Sequence, residues 1–168
     1  MNQHEHHQHH GQHTAAPSLD RLAASATLHC LTGCAIGEVL GMVLGTALGL
    51  GNAATIALAV ALAFFFGYLL TIWPLLRAGI APRAAARLAL ASDTASITLM
   101  EIVDNAIMLA IPGAMDAGLA SPLFWASLAA ALAIAGLAAY PVNRWLISRG
   151  RGHAVVHGHM GHGPHGAH

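Results

Sequence analysis

Four carboxylates, Glu38, Asp93, Glu101 and Asp104, lie inside long apolar stretches of a chain with only seven acids among its 168 residues. An ionisable group at the centre of a membrane helix costs about 2.5–3.5 kcal/mol even on the lenient insertion scale, so such groups are kept for a purpose. Around Glu38 the residues Cys30, Cys34, Glu38 and Met42 recur every four positions, which places thiols, a carboxylate and a thioether on one slowly drifting helical stripe. Soft sulfur ligands of this kind suit copper(I), or zinc where His29 and a carboxylate join them. The alternative is that Cys and Met act as small or flexible apolar fillers.

Around Glu101 the residues Asp93, Met100, Glu101, Asp104, Asn105 and Met108 follow the helical repeat and share one broad face. Glu101 and Asp104 are about one turn apart, and two carboxylates so close in a low dielectric must hold a cation or share protons. A structural network with neutral acids hydrogen-bonded across to Glu38 is the other reading. Asp93 either stands on the level of the cysteines, or pairs with Arg87 or caps a helix break. The candidate metal ligands are thus His29, Cys30, Cys34, Glu38, Met42, Asp93, Met100, Glu101 and Asp104.

The elements that position these groups are membrane helices. With 56% hydrophobic residues, 8% charged residues and no lysine, the chain lacks the polar surface of a soluble globule. Four segments, near 22–50, 53–76, 83–111 and 122–147, reach the length of about 20 apolar residues that a bilayer crossing needs. The expected fold is an all-α, four-span membrane domain over 22–148, flanked by tails at 1–21 and 149–168. No signal peptide is expected, because the first apolar run begins only after about twenty polar residues and continues without a cleavage site. The first and third spans carry the acids, both cysteines and His29. The second and fourth carry aromatics, so the polar pair is expected to face inward and the apolar pair to meet the bilayer lipid.

Arg77, Arg83 and Arg87 surround the second connection and Arg144, Arg149 and Arg151 follow the fourth span, whereas the first and third connections have no basic residue. The positive-inside rule then puts both termini in the cytoplasm of a bacterial inner membrane. Trp73, Tyr140 and Trp145 at one side, and Phe124 and Trp125 at the other, fit an interfacial aromatic belt.

A tandem repeat is also expected. Trp73-Pro74-Leu75-Leu76-Arg77 matches Tyr140-Pro141-Val142-Asn143-Arg144, and Gly37-Glu38-Val39-Leu40 matches Met100-Glu101-Ile102-Val103. Two parallel-repeated helical hairpins would be related by a pseudo-two-fold axis along the membrane normal, with Glu38 and Glu101 at equal depth. Gly33, Gly37, Gly41, Gly45 and Gly49 form a smooth ridge on the first span, which favours close helix approach and a homodimer.

Six histidines lie within residues 1–13 and six more within 153–168. Gly- and His-rich tails of this kind bury no core and are expected to be disordered, and neutral imidazoles are good ligands for zinc, copper and nickel. Metal capture, a generic polar tail and pH sensing are the three readings.

The segments HCLTGCAIGE (29–38), ASDTASITLMEIVDNAIMLAIPGAMDAGL (91–119) and PVNRWLISRGRGHAVVHGH (141–159) resemble an uncharacterised bacterial multi-pass membrane family catalogued as a domain of unknown function, DUF4396. That resemblance implies a multi-pass membrane protein and no particular activity.

Several classes are disfavoured. Two-histidine haem ligation needs two imidazoles in the bundle and only His29 is there, so no haem is expected. No phosphate loop, Ser-His-Asp set or broad basic surface is present, which argues against an enzyme and against nucleic acid as a partner. Cysteines near the cytoplasmic side are expected to be reduced. The leading expectation is a membrane protein handling transition-metal ions, as a small permease or a sequestration or sensing component. A proton or cation pathway through the carboxylates and a structural subunit are the alternatives.

Overall fold

In a computed structural model, which describes residues 18–149, the chain is all-helical: α1 (Leu19–Ala47), α2 (Asn52–Arg77), α3 (Pro82–Ala110) and α4 (Pro122–Ser148). At 1.5 Å rise per residue each helix is about 40 Å long, enough to cross a bilayer. Three of them, α1, α2 and α4, are also apolar enough to do so, which marks a membrane protein. The 29-residue α3 is as long but carries Arg83, Arg87, Asp93, Glu101 and Asp104. The His-rich segments fall outside the described residues.

The boundaries follow local chemistry. Pro82 and Pro122 occupy the first helical turns of α3 and α4, where proline's fixed φ and missing N–H cost nothing. The Ser18 hydroxyl accepts from Arg21 N at 3.3 Å and caps α1. Gly49 and Gly79, with φ of 65° and 80°, let the chain reverse after α1 and α2.

The glycine ridge of α1 is occupied within the chain. Gly33, Gly37, Gly41 and Gly45 stack in antiparallel order on Gly67, Ala63, Ala59 and Thr55 of α2. A Cβ on Gly33 would lie 2.7 Å from Gly67 Cα, and one on Gly41 2.5 Å from Ala59 Cα, so the two backbones touch. The ridge is therefore not a surface for a second copy, and the expected homodimer loses the feature that suggested it. The physical reason is the short connection at 48–51, which returns α2 directly along the ridge.

The expected division into polar inner and apolar outer spans also needs correction. Thr55, Ala59, Ala63, Gly67, Thr71 and Leu75 of α2 are all buried and recur every four residues, so α2 presents a packed face that carries two hydroxyls. Phe124, expected at the interface, is 1% exposed and packs with Met108, Ala114, Leu128 and Ala131. Trp73, Trp125 and Trp145 do face outward, and Arg77 and Arg149 stack over Trp73 and Trp145 at 5.0 and 5.2 Å. At the same end Arg144 Nε donates to Asp20 Oδ1 at 2.6 Å, joining α4 to α1.

Candidate functional site

The candidate residues fall into two polar layers along the bundle. In the first, α1, α2 and α3 are joined by hydrogen bonds. Thr71 Oγ1 donates to Asp93 Oδ2 at 2.6 Å, and Ser92 Oγ donates to Asp93 Oδ1 at 2.7 Å. His29 Nε2 lies 2.9 Å from the same Thr71 oxygen. The Thr71 hydroxyl thus links the His29 ring to the Asp93 carboxyl. Asp93 is 0% exposed, and Cys30 lies beside it and Ser96. Asp93 is thus a neighbour of the first cysteine. Sequence reasoning missed Thr71, the hub of this layer. Its only signal was a hydroxyl in register with the small-residue stripe of α2.

The second layer is about one to three turns further along α1 and α3. The Glu38 and Asp104 carboxyl groups stand against each other, and the Cys34 thiol is the neighbour of Glu101. Neither contact supplies a hydrogen bond of ordinary geometry to Glu101 or Glu38. Both oxygens of Glu38, both of Glu101 and Asp104 Oδ1 are buried without a partner. Glu38, Glu101 and Asp104 are 6, 4 and 3% exposed. Abutting carboxyl groups must share a proton or take up a cation, because two bare anions in so apolar a setting repel and are poorly solvated.

The side chains of α1 and α3 interleave here, with Glu38 a neighbour of both Asp104 and Glu101. Facing pairs across the two parallel helices are Cys34 with Glu101 and Glu38 with Asp104, which are 67 and 66 residues apart in the chain. The acid motifs are offset by 63 residues and the prolines at 74 and 141 by 67, and Cys30 beside Asp93 is a contact in the 63-residue offset.

Of the methionines, Met100 is fully buried with Cys30, Cys34 and Ile97 in an apolar cluster. Met42 instead lines a cavity with Glu38 and Asp104, where Met108 and Met115 join it. Met115 lies in the third connection, outside the spans, and was not a sequence candidate. Among the described residues no three His, Cys, Asp or Glu side chains converge closely enough to hold a metal ion. Both cysteines are free and buried.

Long apolar helices enclosing carboxylates and thiols define a small helical membrane protein with a polar interior. The chain belongs to the family described as Domain of unknown function (DUF4396), whose model matches residues 21–152. No curated protein and no solved structure matches it.

Proposed function

We propose that this protein is a four-span integral membrane protein that handles transition-metal cations of the copper or zinc class, as a small permease or a sequestration or sensing component. The observation that carries this reading is the set of five buried carboxylate oxygens on Glu38, Glu101 and Asp104 that lack any hydrogen-bond partner. An unsatisfied buried polar group costs about 1–3 kcal/mol, and more when charged, so a native state with five of them is one that a cation completes. Cys34 beside Glu101, and Met42 beside Glu38, favour a soft or borderline ion over a hard one.

The remaining parts fit this reading. α3 is the fourth crossing, with its acids turned inward. The hairpins α1–α2 and α3–α4 are parallel repeats, with the acid motifs offset by 63 residues and the prolines by 67. The arginine distribution sets both termini in the cytoplasm of a bacterial inner membrane, where the His-rich tails gather ions.

A proton or alkali-cation pathway is the second reading, favoured by the direct Glu38–Asp104 contact and by the absence, among the described residues, of a preformed three-ligand His/Cys/Asp/Glu group. Metal analysis of detergent-purified full-length protein, with Glu38→Gln and Glu101→Gln, separates the readings. Loss of bound copper or zinc from both variants with the fold intact supports metal handling. A wild type without bundle-held metal that passes protons in sealed vesicles, and stops when Glu38 is changed to glutamine, supports the second. Full metal content in both variants makes the carboxylates structural.

A further inference from the structure

The cavity beside Glu38 and Asp104 has about 40 Å³ of free volume. That is room for a bare or partly hydrated ion beside the carboxyl pair. Its polar lining is Glu38, Asp104, Thr55 and Asn105, and Glu38 Oε1 and Oε2 and Asp104 Oδ1 are unpartnered on side chains more than nine-tenths buried. The rest of its lining includes three thioethers, Met42, Met108 and Met115, brought together from α1, α3 and the third connection.

A second cavity, of about 290 Å³, shares Met42, Thr55 and Met115 with the first and reaches Asn52 and Asp116 at the end of the bundle bearing the first and third connections. Asn52 Nδ2 donates to Asp116 Oδ1 at 3.3 Å, and both residues are exposed there. Toward the other end, Cys34, Cys30 and Asp93 are 0–1% exposed and the His29–Thr71–Asp93 layer bridges three helices.

From this arrangement we infer that Met42, Met108 and Met115, with Glu38 and Asp104, form a chamber for a soft monovalent cation, copper(I), reached from the end that carries the first and third connections. The inference rests on the cation-handling reading above and narrows it. Thioethers are neutral, soft donors that favour copper(I) and give little to zinc or hard cations. An ion from the open end passes the Asp116 carboxylate, then Met42 and Met115, and stops at the carboxyl pair. This approach is opposite to delivery from the tails.

The test uses full-length protein in lipid nanodiscs, titrated with copper(I) against a chromogenic copper(I) chelator and separately with zinc. Changing Met42, Met108 and Met115 together to leucine keeps the volume and removes the sulfurs. Copper(I) binding should weaken at least about 100-fold, since losing even a supporting group around a metal costs about 10- to 100-fold, while zinc binding stays unchanged. In a second measurement, Met115→Cys in sealed vesicles should react with a membrane-impermeant thiol reagent from the side of the first and third connections, and copper(I) should protect it. Unchanged copper(I) affinity in the leucine variant, or no protection of the cysteine, overturns the inference. If Glu38→Gln abolishes cation binding while the leucine variant keeps copper(I), this inference alone falls. If the wild-type bundle binds neither ion, the cation-handling reading falls with it.

Discussion

Replacing Gly37 with alanine should destabilise the bundle by about 1–2 kcal/mol, although the same change at Gly136 should stabilise it. In the middle of a helix, Gly→Ala alone gains about 0.4–1 kcal/mol by removing freedom from the unfolded chain. At Gly136 the new methyl would lie 3.6 Å from Leu31 Cδ1 and Cδ2, which is ordinary packing, so the gain stands. At Gly37 it would meet the backbone N and Cα of Ala63 inside contact distance, and backbone cannot rotate away. α1 and α2 must then part along their shared ridge, at the usual overpacking cost of about 1–3 kcal/mol, which outweighs the gain. Cys30 and Cys34, 1 and 0% exposed, are natural reporters because a thiol-reactive dye reaches them only as the bundle opens. The midpoint temperature of labelling in detergent should fall for Gly37→Ala and rise for Gly136→Ala. A Gly37→Ala midpoint at or above wild type would refute the intrachain packing of the ridge.

Thr71→Val, which keeps the shape and removes the hydroxyl, should cost about 1–3 kcal/mol by the same labelling assay, because Asp93 and His29 each lose a hydrogen-bond partner; Thr71→Ser should restore most of the loss, and a neutral valine variant would show that the layer is not held through this hydroxyl. Cysteines introduced at positions 51 and 118 should react with an impermeant reagent from outside intact cells while those at 80 and 152 do not, and the reverse pattern would invert the topology. Deleting residues 1–13 and 153–168 should lower the number of bound ions yet leave the tightest in place, and loss of every ion with the tails would remove the bundle site.

The helices were legible because long apolar runs bounded by Gly and Pro leave little freedom. The spans expected at 53–76 and 122–147 are the helices Asn52–Arg77 and Pro122–Ser148 to within a residue. The first was set at 22–50 and runs Leu19–Ala47, since Ser18 caps it early and Gly49 ends it. Burial of Glu38, Asp93, Glu101 and Asp104 was legible from cost alone. Their pairing was not. Helical period shows which residues share a face but not which helix covers that face or in what register. The glycine ridge is the clearest example: its spacing announced close packing, and only the turn at 48–51 decides that α2 fills it. Thr71 and Met115 escaped for related reasons, one a lone hydroxyl in an apolar helix and the other a loop residue folded back over the cavity.

The central claim is that Glu38, Glu101 and Asp104 hold a cation in exchange for protons. Infrared difference spectroscopy on full-length protein in nanodiscs reads those groups directly, because the His-rich segments 1–13 and 153–168 contain a single carboxylate, Glu5. Adding copper(I) or zinc should convert bands of protonated carboxyl groups into carboxylate bands, and Glu38→Gln should remove part of that change. Saturation with both ions that leaves the buried carboxyl bands of the wild type unaltered would contradict the account.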